Sequence, residues 1–185
     1  MRVISGINKG TKLKTLEGDN TRPTLDRVKE SLFSIIFSKR SDIKTVLDLF
    51  AGSGALGLEM LSRGADNVCF CDNSKQALQI ITENVKKCKH ESKTQIINLD
   101  YEKCLEKLNM QKSTFDLIIL DPPYDKGMGI KAIEYIDKFE LLNENGIVVL
   151  ETSDKECIPE VLGKFVKADE RKYGRVKIYM FMRKG

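Results

Sequence analysis

Residues 46–59 read VLDLFAGSGALGLE, an apolar run that breaks into glycines and resumes as a helical pattern. Thr45–Phe50 has the near-continuous apolar character of a strand buried on both faces. Gly52, Gly54 and Gly57 follow in the G-x-G-x-x-G spacing at which a strand turns tightly into a helix. The helix runs to Arg63, with Gly64 as its C-cap. Strand, glycine turn and helix make half of a βαβ unit.

The unit repeats outward from there. Asn67–Asp72 is a second strand, and the helix after it carries Ala77, Ile80, Ile81, Val85 and Cys88 on one face, capped by Asn73 or Ser74. Thr94–Leu99, Phe115–Asp121 and Gly146–Glu151 are further strands, separated by helices with Tyr101, Leu105 and Leu108 and then over Ile130–Phe139. Lys164–Lys172 and Arg175–Met182 form an antiparallel hairpin turning at Tyr173-Gly174. Upstream, residues 2–16 read as two short strands around Asn8-Lys9-Gly10. A helix with Leu25, Val28, Leu32, Ile35 and Ile36 at helical spacing follows, with Thr24 as N-cap. The pattern predicts an α/β, Rossmann-like, doubly wound and mostly parallel sheet of seven strands, with an antiparallel C-terminal hairpin and a small N-terminal β-hairpin and helix.

Composition narrows the class. At 185 residues, 41% hydrophobic and 31% charged, the chain suits one globular domain, with a basic segment over 1–40 and a core over 41–185. No apolar run approaches the roughly 20 residues of a membrane span. MRVISGINKG lacks the apolar stretch of a secretory signal, so a cytoplasmic protein is expected. Five cysteines without C-x-x-C spacing and a single histidine exclude a disulfide framework or a zinc site on spacing grounds, and no metal is expected. Cys69 and Cys71 read as packing residues on one face of a strand, and His90 as a solvated surface residue. Net charge is +4, but residues 1–40 hold nine Lys/Arg against four Asp/Glu, a balance of +5. Arg171, Lys172, Arg175, Lys177, Arg183 and Lys184 make the C-terminus basic again. Two basic segments around a near-neutral centre suit a polyanionic partner.

Parallel sheets bind ligands beyond the C-terminal ends of their strands. Here those ends are Asp48-Leu49-Phe50-Ala51-Gly52, Asp72-Asn73, Asp100-Tyr101 and Asp121. A pyrophosphate cofactor would meet Asp48 without a compensating cation in the glycine loop. S-adenosylmethionine carries an ammonium and a sulfonium and suits a ring of acids. In that reading Asp48 meets the ammonium, directly or through water, and Gly52 and Gly54 let the backbone approach. Asp72 accepts the ribose hydroxyls and Asp100 the adenine amine, with Tyr101 as a wall. Helix capping is the structural alternative for Asp72 and Asp100.

The fourth strand ends in IILDPPYDKG, residues 118–127. Proline cannot donate to a sheet ladder, so Pro122 and Pro123 stop the strand and stiffen the turn. Asp121 and the neighbouring carbonyls then stand as fixed acceptors beside the aromatic face of Tyr124. That constellation suits a planar base bearing an exocyclic NH₂: the acceptors take both N–H groups and orient the nitrogen toward a sulfonium methyl.

Asp48–Gly57 resembles motif I of class I S-adenosylmethionine-dependent methyltransferases, and Asp121-Pro122-Pro123-Tyr124 resembles the [DN]-P-P-[YFW] turn of enzymes that methylate amino or amide nitrogens. Together with RVISGINKGTKL and TRPTLDRVKESLF, these blocks resemble the bacterial RsmD family over nearly the whole chain. The resemblance implies transfer of a methyl group to the N2 amine of a guanine in 16S ribosomal RNA. It makes Asp48, Gly52 and Gly54 the cofactor loop, Asp72 the ribose ligand and Asp121–Tyr124 the catalytic turn. Arg22, Pro23, Thr24 and Arg27 match an R-P-T-x-D-R block that would lie over the site and bind substrate. With so small a recognition surface, the expected substrate is an assembling small subunit, and no feature demands a dimer. The competing readings are an adenine-N6 methyltransferase, a dehydrogenase using a dinucleotide, and a non-catalytic RNA-binding protein.

Overall fold

Eight strands in the order β3-β2-β1-β4-β5-β8-β7-β6 form one sheet in the computed structural model, which describes residues 1–16, 23–124 and 126–184, with only the backbone over 23–27. The strands are β1 (Thr45–Asp48), β2 (Asn67–Asp72), β3 (Thr94–Asn98), β4 (Phe115–Leu120), β5 (Leu142–Ser153), β6 (Val161–Leu162), β7 (Phe165–Tyr173) and β8 (Val176–Arg183). The first five run parallel to one another, and β8, β7 and β6 pair antiparallel. The helices are α1 (Pro23–Lys39), α2 (Ala55–Ser62), α3 (Lys75–Cys88), α4 (Tyr101–Met110) and α5 (Met128–Lys138). The two-residue β6 makes the count eight where seven strands were expected.

Side-chain alternation splits the core in two. Val46, Val68, Phe70, Leu117, Ile119 and Val149 face one cluster, with residues of α1, α2 and α3. Leu47, Cys69, Cys71, Ile118, Leu120 and Val148 face the other, with residues of α4 and α5. The sheet is therefore covered on both sides, as parallel sheets require. The two cysteines share one face and are buried.

Three local expectations need correction. The antiparallel hairpin over residues 2–16 is present but short: Arg2 and Lys12 form its one bridge, flanked by Val3 N–H to the Thr11 carbonyl at 3.0 Å and Leu13 N–H to the Met1 carbonyl at 2.9 Å, in place of two full strands. Beyond that bridge the Ile4 and Ser5 N–H groups donate to the Glu59 carboxylate of α2, at 2.7 and 2.9 Å. Thr24 lies inside α1 rather than capping it, because Pro23 opens the helix; proline's fixed φ and missing N–H suit that position. His90 is only 4% exposed, and its Nε2 pairs with Asn8 Oδ1 at 2.6 Å, so it anchors the N-terminal loop instead of facing solvent.

That loop is fastened along α2 and α3. Ile7 N–H donates to the Ser62 carbonyl and Asn8 N–H to Ser62 Oγ, each at 2.9 Å. Gly6 has φ +81°, and a Cβ there would stand 1.8 Å from the Ser62 carbonyl oxygen, so the close approach needs glycine. Further along, Asn84 of α3 holds the backbone of Lys14. The segment reaches Leu16 at the carboxyl edge of the sheet, beside the cleft described next.

Candidate active site

The strand order reverses between β1 and β4, and a cleft of about 890 Å³ opens beyond their C-terminal ends. This is the switch point at which doubly wound sheets bind ligands, and the volume lies in the range of small-molecule sites. Phe50, Gly52, Asp72, Asn73, Asp100, Tyr101 and Asp121–Tyr124 all line it, so most residues chosen at the strand ends meet in one place.

On the glycine-loop side, Asp72 carries the local structure. Its Oδ2 accepts from Gly52 N–H at 2.9 Å and its Oδ1 from Ser74 N–H at 2.8 Å. A carboxylate offers about four acceptor positions, so two remain for hydroxyl groups in the cleft. Ser74, not Asn73, caps α3, accepting from Ala77 N–H at 3.3 Å. Asp100 caps α4 through Lys103 N–H at 3.0 Å and pairs with Lys103 Nζ at 3.3 Å, while still lining the cleft. Phe50 and Tyr101 form an apolar wall, their rings 5.4 Å apart and tilted by 38°. Tyr101 is fixed by a bond from its hydroxyl to Glu102 Oε1 at 2.8 Å; burial, then that carboxylate, pushes the phenol up to about 12.

Asp48, Ala51 and Gly54 lie beneath the loop rather than on the cleft wall. Asp48 is 1% exposed, and its Oδ2 accepts from Gly57 N–H at 2.9 Å, fixing the first turn of α2. Burial pushes its carboxyl up to about 7, opposed by the Gly57 bond and reinforced by Asp72. Ala51 N–H donates to the Cys71 carbonyl at 3.0 Å, tying the loop to β2. Gly54 has φ +74°, and a Cβ there would come within 3.3 Å of Ile81 and Phe70, so its freedom serves the turn and the packing below. Gly52, at φ +55° with open space beside it, is the glycine that faces the cleft.

Across the cleft, β4 ends at Leu120 and Pro122 is buried while Pro123 and Tyr124 are exposed. Leu49 N–H donates to the Ile119 carbonyl at 3.0 Å, which sets the proline turn directly beside the glycine loop. Tyr124 is held by a residue the sequence reading did not single out: its hydroxyl donates to Glu151 Oε1 of β5 at 2.9 Å. β5 lies next to β4, with Leu150 opposite Leu120, so Glu151 stands one step beyond the strand end. Burial raises the Glu151 carboxyl, and burial, then Glu151 and Asp121, raises the Tyr124 phenol, which keeps the tyrosine a donor. The signal was available only as an acid at the end of the fifth apolar strand. Leu16, Leu49, Leu99 and Met128 complete the apolar lining. Arg22 lies outside the described residues, as do the side chains of Thr24 and Arg27. Among the described residues no group of acids, cysteines and histidines could hold a metal ion. No helix of the described residues is long and apolar enough to cross a membrane.

The family described as Conserved hypothetical protein 95 matches residues 1–182. The YlbH protein of Bacillus subtilis is 39% identical over the full length of both chains. The Haemophilus influenzae protein named Ribosomal RNA small subunit methyltransferase D is 35% identical over 85% of this chain and 82% of its own. The solved structure of the Escherichia coli protein yhhF, at 26% identity, superposes with a TM-score of 0.86 over 100% of this chain and 98% of its own.

Proposed function

The chain belongs to the RsmD family, described as Conserved hypothetical protein 95, and from that premise we propose that it is an S-adenosylmethionine-dependent ribosomal RNA methyltransferase acting on the N2 amine of a guanine in 16S RNA. The observation that carries the reading is the junction of two half-sites in one cleft: the Asp72–Gly52 loop on one wall and the Asp121–Tyr124 turn on the other. The first half suits the cofactor. Asp72 keeps acceptor capacity for ribose hydroxyls, Phe50, Leu99 and Tyr101 offer an apolar slot for a base, and Asp100, which lines the same cleft, would accept from an adenine amine. When bound, S-adenosylmethionine supplies an electrophilic methyl on a cationic sulfur.

The second half orients the acceptor. Asp121 and the carbonyls of the rigid turn take the two N–H groups of an exocyclic amine, whose lone pair is otherwise delocalised into the ring. Holding both protons draws the nitrogen toward pyramidal geometry and aims its lone pair, a positioning effect that carries most of the acceleration. The N–C bond would form as the methyl–sulfur bond breaks and its electron pair returns to sulfur, leaving a neutral thioether; the nitrogen becomes cationic and Asp121 accepts the released proton, a contribution of roughly 10²–10⁴ where general-base catalysis operates. Tyr124, half-exposed at 39% and held by Glu151, presents a ring on which the base stacks. Guanine N2 must leave its stack to reach the turn. Residues 1–40 form the substrate-facing portion: residues 1–16 are fastened to α2 and α3 and reach the cleft at Leu16, and Arg22, Thr24 and Arg27 contribute RNA contacts. The substrate in this reading is an assembling small subunit, met in the cytoplasm by a monomeric enzyme.

The test supplies methyl-labelled S-adenosylmethionine and small ribosomal subunits from cells lacking this protein, digests the RNA to nucleosides and locates the label by mass spectrometry. Label on N2-methylguanosine is the expected result. Label on N6-methyladenosine would keep the cofactor and the turn and overturn the base. Equal labelling of naked RNA and of particles would remove the requirement for an assembling subunit.

A further inference from the structure

A second cleft, of about 610 Å³, adjoins the first at Tyr124 and is walled by the end of β5 and the β7–β8 turn: Ser153, Asp154, Lys155, Arg175 and Val176. Its walls are built rather than incidental. Asp154 N–H donates to the Arg175 carbonyl at 2.9 Å, and Glu156 N–H to the Ser153 carbonyl at 3.2 Å, so the two turns are locked together.

The charges in it are unevenly engaged. Asp154 is paired with Lys172 Nζ at 2.8 Å. Lys172 first, with Lys155 and Arg175 adding to it, holds the Asp154 carboxyl below the usual range, a sign of positive local potential. Most of the other basic residues in the C-terminal segment are occupied elsewhere: Arg171 with Asp169 at 3.0 Å, Lys177 with Glu170 at 2.9 Å, and Arg183 with the Leu142 carbonyl at 2.9 Å. Lys155 and Arg175 are exposed, and among the described residues neither forms an ion pair. With Asp154 engaged by Lys172, two exposed cations without an ion pair among the described residues stand in the cleft next to Tyr124.

We propose that Lys155 and Arg175 form a subsite for the phosphodiester of a nucleotide flanking the target base, gripping the RNA chain as it leaves Tyr124. The inference rests on the reading of the first cleft as the base-binding site. A polynucleotide whose base occupies that cleft must continue past its rim, and Tyr124 lines both clefts. Arginine can meet a phosphate with two parallel N–H bonds, and lysine adds a point charge on a flexible stem. The contact positions the strand without reading sequence.

The experiment measures half-saturation of methyl transfer to small ribosomal subunits from cells lacking this protein, across a salt series, for wild type, Lys155→Ala/Arg175→Ala and Arg171→Ala. Calorimetry with S-adenosylmethionine accompanies each. Each phosphate contact contributes close to one unit of slope in log affinity against log salt. The double variant is expected to lose about two units of slope and to need several-fold more substrate, with cofactor affinity and saturated rate unchanged. Arg171→Ala, which removes a cation outside the cleft, is expected to match wild type. A wild-type slope in the double variant, or an equal loss in Arg171→Ala, would overturn the subsite while leaving the proposed reaction intact. Absence of any RNA methylation by wild type, with the cofactor bound, would overturn the reading beneath it and the subsite together.

Discussion

Asn84 and Lys14, seventy residues apart, are joined by two hydrogen bonds: Lys14 N–H donates to Asn84 Oδ1 at 2.8 Å, and Asn84 Nδ2 donates to the Lys14 carbonyl at 2.9 Å. The same Nδ2 donates to the Ser53 carbonyl at 2.9 Å. One buried amide thus joins the N-terminal segment to the glycine loop, two residues before Leu16 reaches the cleft.

Asn84→Ala would leave a buried N–H and two carbonyls without partners, at a cost of about 1–3 kcal/mol. Asn84→Asp would keep one acceptor and lose both donor bonds. In the proposed enzyme both variants should bind S-adenosylmethionine several-fold more weakly, since the loop and Leu16 lose their common fastening. Urea unfolding and calorimetry check this. Unchanged cofactor affinity in a destabilised Asn84→Ala would confine the residue to folding.

The Tyr124–Glu151 bond separates stacking from positioning. Tyr124→Phe keeps the ring and deletes the hydroxyl that holds it, while Tyr124→Ala deletes both. Base stacking contributes about 1–3 kcal/mol, so Tyr124→Ala should raise half-saturating substrate roughly 5- to 150-fold. Tyr124→Phe should show a smaller rise. Glu151→Gln, which can still accept from the hydroxyl, should stay near wild type. A Tyr124→Phe as impaired as Tyr124→Ala would place the contribution in the hydrogen bond rather than the ring.

What could be read from sequence and what could not divides along the range of the interactions. β1, β2, β3 and β4 are local apolar runs, and the proline turn after Leu120 is punctuation visible in ten residues. Glu59, Asn84 and His90 look like solvated polar positions on or near helices, because the N-terminal partners that cover them lie 54 to 82 residues away. The seating of the N-terminal hairpin on α2 is hidden for the same reason, since Ile4 and Ser5 N–H donate to Glu59 far along the chain. β5 begins at Leu142 rather than Gly146. It runs through Asn145 at φ +58°, with a register irregularity opposite Phe115–Leu117, so Asn143–Gly146 reads as a turn although the strand passes through it. Asp48 was placed correctly at a strand end, but sequence does not say which way its carboxylate points.

That direction gives Asp48 a pH signature. Burial pushes its carboxyl to about 7, from an ordinary value near 4. The native state therefore holds a proton that the unfolded chain has released between those values. Stability should fall as pH rises through that window, by at most about 1.4 kcal/mol per pH unit. Asp48→Asn removes the titrating group and can still accept from Gly57 N–H through its amide oxygen, so its stability should be flatter from pH 4.5 to 7.5. Urea midpoints of both proteins across that range check the sign. Parallel curves would mean that Asp48 ionises normally despite its burial.

The third glycine of the loop shows how a ligand motif can be a packing requirement. A Cβ on Gly57 would stand 2.3 Å from the Phe70 ring and 2.8 Å from Val68, and Phe70 is fully buried. Gly57→Ala should destabilise by about 1–3 kcal/mol, the usual range for overpacking. Phe70 lies two residues before Asp72, whose carboxylate holds Gly52, so displacement of the ring should also weaken cofactor binding. Phe70→Leu alone leaves a void, yet in combination with Gly57→Ala it makes room for the new methyl. The double variant should therefore be more stable than the sum of the single effects allows, with a coupling of about 0.5–3 kcal/mol between touching residues. Strict additivity would mean that Gly57 is required by the backbone path or by ligand approach, and that the contact with Phe70 is relieved some other way.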